Sequence, residues 1–133
     1  MIFVDTSAIV AILARESDAT DFADKIAGAS KAITAGHVLL EASMRLSSLL
    51  GVEPDIARSA ILDLVDEAGV EFAPIDRVVA EQAVSAFQRF GKGRGGKAKL
   101  NFGDCLSYAC ARVCDAKLLF KGKDFSATDI LRA

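Results

Sequence analysis

The sequence contains no tryptophan, only two prolines, one histidine (His37) and three cysteines among its 133 residues. The shortage of proline, with 52 % hydrophobic residues, excludes a disordered or collagen-like chain. No segment approaches the roughly 20 uncharged residues that a transmembrane helix needs. Residues 2–13 are apolar, but Asp5 interrupts them and no basic leader precedes them, so a signal peptide is not expected. An odd cysteine number without an export signal indicates a reducing compartment, and we therefore expect a soluble, cytoplasmic protein with no membrane contact.

The length predicts one domain that covers residues 1–133. Short β-prone runs near residues 2–4, 32–34, 70–72 and 118–120 alternate with segments of helical periodicity. This alternation predicts an α/β fold with right-handed crossovers and a small parallel sheet covered on both faces. In such sheets, ligands and catalytic groups gather beyond the carboxyl ends of the strands.

The helical segments have recognisable ends and inward faces. Thr6 or Ser7 is expected to cap the first helix, and Asp76 a later helix that runs to Phe90. Further helices are predicted at 18–28, 37–50, 54–69 and 104–114. Apolar spacing places Leu49 and Ile56, among others, on faces that point inward.

Four carboxylates do not fit the pattern of a solvated helix face: Asp5, Glu41, Asp104 and Asp124. Each has a simpler interpretation, since Glu41 can pair with Arg45 at i,i+4, Asp104 can cap a helix and Asp124 can belong to a turn. Asp5 is the hardest to explain in this way, because a carboxylate at the end of a buried strand needs a partner to offset its desolvation.

The predicted topology can bring these four acids together. Asp5 and Asp124 both follow predicted strands, so parallel pairing places them at the same edge of the sheet, where helices can contribute Glu41 and Asp104. Clustered carboxylates raise one another's pKa unless a cation intervenes. An all-oxygen ligand set suits Mg²⁺ or Mn²⁺, which can activate water and stabilise charge at phosphorus. Arg45 could balance the carboxylates when no metal is bound.

A basic loop precedes Asp104. Between residues 89 and 99 the chain has no acid and five cations, namely Arg89, Lys92, Arg94, Lys97 and Lys99. Alone, this is an ordinary solvated loop; beside a metal site it would attract a polyanionic backbone. The acids and the loop together predict metal-dependent hydrolysis of phosphodiesters.

Other functions fit less well. Residues 91–97 match G-x-x-x-x-G-K, but Ala98 stands where a P-loop needs Ser or Thr. Three cysteines on one predicted helix lack the fourth ligand of a zinc site, so core thiols are expected. An aspartate-dependent phosphatase would need a second acid where Ser7 stands. A non-catalytic module that binds RNA or a protein partner stays open.

Four segments carry a family resemblance: IFVDTSAIVAIL, HVLLEASMRL, LNFGDCLSYACA and LLFKGKDFSATDI. In order and spacing they resemble the VapC-type toxins among the PIN-domain ribonucleases, over essentially the whole chain. The resemblance implies an α/β/α sandwich, a homodimer, a cognate antitoxin, and RNA cleavage with Mg²⁺ or Mn²⁺. It also implies that Asp5, Glu41, Asp104 and Asp124 form the metal-binding quartet, with Thr6 or Ser7 near the reacting water.

Two further expectations concern the surface. The apolar faces that carry Ile9, Ile12, Leu13 and Phe22, and also Leu50 and Ile56, are candidates for a dimer or antitoxin interface. Asp129 is left out of the quartet, because it is expected to cap a terminal turn.

Overall fold

A parallel sheet of four short strands lies at the centre of the computed structural model, which describes residues 1–133. The strands are β1 (Ile2–Val4), β2 (Ala32–Ala35), β3 (Glu71–Ala73) and β4 (Lys117–Leu119), in the order β3-β2-β1-β4. Central strand β1 pairs with both β2 and β4, so that Phe3 lies opposite Ile33 and Leu118. The predicted α/β fold with a small parallel sheet is confirmed.

Six helices surround the sheet: α1 (Thr6–Leu13), α2 (Ala19–Gly28), α3 (Gly36–Leu50), α4 (Pro54–Glu67), α5 (Arg77–Phe90) and α6 (Phe102–Val113). Helix α3 packs along α4, α5 packs along α6, and α1 contacts both α2 and α3. Helix α6 also contacts β1 and β4, which places its first turn close to the ends of these strands. None of the six helices combines the length and apolar character that crossing a bilayer requires.

The neighbouring strands β1 and β4 contribute the most deeply buried side chains of the sheet to the hydrophobic core. Phe3, Val4, Leu118 and Leu119 are almost completely inaccessible to solvent. Parallel strands covered by helices on both faces are buried along their whole length, which explains their continuous apolar runs. Cys110 is a free thiol inside this core, as the sequence predicts.

Two helices begin earlier than the sequence predicts. Asp5 rather than Thr6 or Ser7 caps α1, and Asn101 caps α6 three residues before Asp104. Asn101 and Asp104 form a capping box, in which each side chain accepts a hydrogen bond from the backbone N–H of the other. Carboxylate and amide oxygens satisfy the free N–H groups of a first turn, so both ends are well stabilised.

The inward face predicted for α4 is wrong by one position. Ile56 is 58 % exposed, and the helix buries Ala57 and Ile61 instead; Val65, also predicted to point inward, is buried. A shift of one residue rotates a helical face by about 100°, which turns Ile56 away from α3. Leu49 of α3 is also exposed rather than buried.

The surface proposed for partners is partly corrected by the same packing. Ile9 and Phe22 are buried in the core and cannot contribute to an interface. Leu50 and Ile56 remain exposed on α3 and α4.

Candidate active site

The four predicted carboxylates line one cavity of about 260 Å³. Asp5 directly follows β1, and Asp124 lies beyond β4 after a turn at Gly122, whose φ of 97° favours glycine. Glu41 comes from α3 and Asp104 from the first turn of α6. The carboxyl ends of two adjacent parallel strands therefore meet two helices at this cavity.

The remaining lining residues are almost all polar: Thr6, Ser7, Arg45, Asn101, Lys121 and the apolar Phe125. Thr6 and Ser7 were predicted here, and Arg45 was named as a possible counter-charge. Asn101 and Lys121 were missed. The spacing Asn101-x-x-Asp104 is a sequence signal for a capping box, whereas nothing in the sequence distinguishes Lys121 from a surface lysine.

Asp5 is held by hydrogen bonds from Ser7, and Ser7 is itself held by a residue that follows β4. It is only 5 % exposed and accepts hydrogen bonds from the Ser7 backbone N–H (3.2 Å) and from Ser7 Oγ (2.7 Å). Ser7 Oγ in turn accepts a hydrogen bond from the Lys121 backbone N–H at 2.9 Å. Ser7 thus joins the start of α1 to the end of β4, and its hydrogen bonds offset the desolvation of Asp5.

Glu41 receives its hydrogen bond from Thr6 Oγ1 at 2.9 Å, not from Arg45 as the simpler interpretation expects. Burial raises the pKa of Glu41, and the nearby charge of Asp5 raises it further. The Thr6 hydrogen bond and the Arg45 charge oppose this rise.

Gly103 leaves the space that the Glu41 carboxyl group occupies. A Cβ atom at position 103 would lie 2.2 Å from Glu41 Oε2 and 2.5 Å from Cδ. Sequence reasoning missed this residue, although a glycine inside a helix costs roughly 1 kcal/mol relative to alanine and so indicates a close approach.

Asp104 is the acid of the cavity whose pKa departs furthest from its ordinary value. Burial raises its pKa to about 7, and the charges of Asp5, Asp124 and Glu41 act in the same direction. The hydrogen bond from the Asn101 backbone N–H opposes the rise. Gathering these acids therefore carries an electrostatic cost that a bound cation would relieve.

The chemistry of the donor set fits a hard divalent cation. Every carboxylate, hydroxyl and amide oxygen of the cavity is a ligand type that Mg²⁺ and Mn²⁺ accept. In the present arrangement, no three His, Cys, Asp or Glu side chains are close enough to hold one ion together. Protein hydrogen bonds use one oxygen each of Asp5, Glu41 and Asp104, and the second oxygen of each carboxylate has no protein partner.

None of the five basic residues predicted to contact RNA lines this cavity, and they differ in their surroundings. Lys92, Arg94, Lys97 and Lys99 are exposed between α5 and α6. Arg89 instead forms an ion pair with Asp129, with 3.0 Å between Nη2 and Oδ2.

Asp129 also accepts a hydrogen bond from the Tyr108 hydroxyl. The expectation that it caps a terminal turn is therefore wrong, because its carboxylate joins the C-terminal segment to α5 and α6.

The PIN domain family model matches residues 2–131. Ribonuclease VapC28 of Mycobacterium tuberculosis is 43 % identical over 130 residues, which cover 98 % of this chain and 96 % of the relative. The chain belongs to the VapC ribonuclease family of PIN-domain proteins. A second relative, Ribonuclease VapC30 of the same species, is 37 % identical over 131 residues, 96 % of this chain and 94 % of the relative.

Two solved structures share the fold of this VapC family member. The crystal structure of M. tuberculosis VapC20, a sarcin-ricin loop cleaving toxin, has a TM-score of 0.78 at 23 % identity and covers 100 % of this chain and 98 % of that one. A toxin–antitoxin complex from Klebsiella pneumoniae has a TM-score of 0.71 at 15 % identity, with 100 % and 97 % covered. The resemblance noted in the sequence is confirmed.

Replacing Asp104 with Asn should change how stability depends on pH. The native pKa of about 7 exceeds the roughly 3.9 of an unfolded aspartate, so the native state binds more protons between these values. In metal-free buffer the free energy of unfolding of the unmodified protein should therefore fall as pH rises from 4 to 7, and then level off. Asp104→Asn should lack this fall and should melt at a higher temperature than the unmodified protein above pH 7, by several degrees or more. Melting curves that keep a constant separation across this pH range would contradict the assignment.

Adding a methyl group at position 103 should displace the Glu41 carboxyl group. We expect Gly103→Ala to reduce the cleavage of RNA by roughly 100-fold, because small misplacements of reacting groups are costly. Gly28→Ala is the matched control, since Gly28 also lies in a helix and a Cβ there meets nothing within 4 Å. Equal activity of the two variants, measured with the same RNA, would show that Glu41 needs no such space.

Proposed function

We propose that this chain is a metal-dependent endoribonuclease and the toxin of a cytoplasmic toxin–antitoxin pair. The observation that carries the proposal is the convergence of Asp5, Glu41, Asp104 and Asp124 on one cavity. The names of the relatives, ribonucleases at 37–43 % identity over nearly the full chain, support the reaction class.

The four carboxylates are the proposed ligands of a cation. Asp5, Asp104 and Asp124 would bind Mg²⁺ or Mn²⁺, with Glu41 binding directly or through water. When bound, such an ion supplies activation of water and charge stabilisation at phosphorus. Asp5, Glu41 and Asp104 each keep one carboxylate oxygen without a protein hydrogen bond, and this oxygen is available to a cation.

Thr6 and Ser7 orient carboxylates and differ in what they have left for a water molecule. Each hydroxyl donates its only proton, Thr6 to Glu41 and Ser7 to Asp5. Ser7 Oγ also accepts from Lys121, whereas no second partner occupies Thr6 Oγ1. A hydroxyl has two lone pairs, so Thr6 retains more capacity to accept a hydrogen bond from the attacking water.

We propose that the exposed cations of the basic loop contact the RNA backbone. Lys92, Arg94, Lys97 and Lys99 lie in the segment that leads directly into Asn101 and the acidic cavity. Arg89 is already paired with Asp129, so any phosphate contact would use its remaining N–H groups.

The partner surfaces belong to α3 and α4. Leu40 and Met44, one helical turn apart on α3, are largely exposed, as are Leu50 and Ile56. Arg45, beside Met44, lines the acidic cavity. We propose that the antitoxin or a second copy of the chain covers this apolar surface.

A binding module without turnover is the second candidate, because no three acids of the cavity stand ready to hold one ion. A phosphatase that uses Asp5 as nucleophile is disfavoured, since this carboxylate is buried and accepts two hydrogen bonds from Ser7. Cleavage of RNA by the purified protein separates turnover from binding.

Purified, antitoxin-free protein should cut total RNA in Mg²⁺ and leave it intact in EDTA, with discrete new 5′ ends on sequencing. Asp5→Asn should reduce cutting by at least roughly 100-fold, because it removes a proposed ligand. Asp63→Asn, which changes an exposed acid of α4, should cut normally. RNA that stays intact under both conditions would rule out the nuclease and favour the binding module.

Loss of loop lysines should weaken the salt dependence of RNA binding. Lys97→Ala with Lys99→Ala should reduce the slope of log affinity against log salt by roughly 0.7 per lysine for single-stranded RNA. Lys117→Ala is the control, because this exposed lysine lies at the amino end of β4, whereas the acidic cavity lies beyond the carboxyl ends of the strands. A slope that responds equally to the control would contradict a role of the loop in contacting phosphates.

A further inference from the structure

An apolar groove of about 550 Å³ adjoins the acidic cavity. Val84 and Phe87 of α5 line one side, and Leu100, Phe102 and Leu106 line the other. Asn101 lines both the groove and the acidic cavity, so the two are adjacent.

Phe102 dominates the surface of this groove. Its side chain is 84 % exposed, more than any other large hydrophobic residue of the chain. It is the first residue of α6, and the capping box between Asn101 and Asp104 fixes the backbone on which it stands. A solvent-facing aromatic ring on a capped helix start, two residues from Asp104, is a surface suited to a flat apolar ligand.

Cations border the same groove. Lys92 is among its lining residues, and the Arg94 guanidinium lies 5.9 Å from the centre of the Phe87 ring. A flat apolar surface beside positive charge matches the two parts of a nucleotide, its base and its phosphate. Proteins that bind single strands combine these same features, stacked aromatic rings and a positively charged groove.

We propose that the groove binds an unpaired RNA base next to the phosphate that enters the acidic cavity, with Phe102 as the stacking surface. This inference rests on the proposed ribonuclease function and adds that the substrate must present an unstacked base at the cut. Aromatic stacking is tolerant of base identity, so the groove selects single-stranded character rather than sequence.

The test uses a single-stranded oligoribonucleotide that spans a cleavage site mapped with total RNA. Phe102→Ala should lower kcat/KM by roughly 5-fold to 100-fold, the range expected for loss of one stacked base. Phe102→Trp should retain most of the activity, and Phe102→Leu, which keeps apolar bulk without an aromatic face, should not. Phe72→Ala is the control, since Phe72 is an exposed phenylalanine on edge strand β3.

Substrates that lack one base provide the second arm. Removal of the base at one nucleotide beside the cut should reduce cleavage by the unmodified protein by the same factor as Phe102→Ala. The same removal should have no further effect on Phe102→Ala, because both changes eliminate one contact. Circular dichroism checks that each variant is folded, and Phe102→Leu serves if the alanine variant is not.

The outcomes separate this inference from the proposed function. RNA cleavage that is unaffected by Phe102→Ala, or losses that multiply, would overturn the stacking site and leave the nuclease in place. Sedimentation that shows Phe102→Ala converting a dimer to a monomer would assign the groove to a second copy of the chain and overturn the inference. Absence of cleavage by the unmodified protein would overturn both.

Discussion

Repulsion among four carboxylates in one small cavity is the constraint around which this site is organised. Burial and neighbouring charges raise the pKa of Asp104 to about 7, so bringing these acids together without a cation is unfavourable. The fold supplies the opposing forces: Ser7 donates to Asp5, Thr6 donates to Glu41, and the capping box holds Asp104. Each of these hydrogen bonds also stabilises a helix start or joins two elements, so the core and the site depend on one another.

The parallel sheet explains why the acids meet where they do. β1 and β4 are neighbours with the same direction, so Asp5 and the turn that carries Asp124 lie at one edge. Helix α6 contacts both strands. Asn101, Phe102 and Asp104 lie together at its capped start, near the carboxyl ends of these strands. The acidic cavity and the apolar groove therefore share a wall, which is what a nucleotide with its charged and apolar parts requires.

The strands and the four candidate acids could be predicted from the sequence, because both are local features. A strand end follows from an apolar run, and each acid stands out from the pattern of a solvated helix face. Asp5 interrupts an apolar run, and its position after β1 follows directly from that run. Contacts between distant elements could not be predicted in this way. The fit of Glu41 against Gly103 depends on the distance between α3 and α6. The hydrogen bond from the Lys121 backbone N–H to Ser7 Oγ depends on how the segment after β4 packs against α1. Ile56 shows a second limit, since an error of one residue in periodicity rotates the predicted buried face of a helix by about 100°.

The central claim, that these carboxylates form one cation site, is tested most directly by nuclear magnetic resonance with Mn²⁺ as a paramagnetic probe. Line broadening at substoichiometric Mn²⁺ in the antitoxin-free protein should centre on the backbone amides of Asp5, Glu41, Asp104 and Asp124. Excess Mg²⁺ should reverse this broadening by competition. Broadening centred on the exposed acids of α2 or α4, or none at all, would contradict the account.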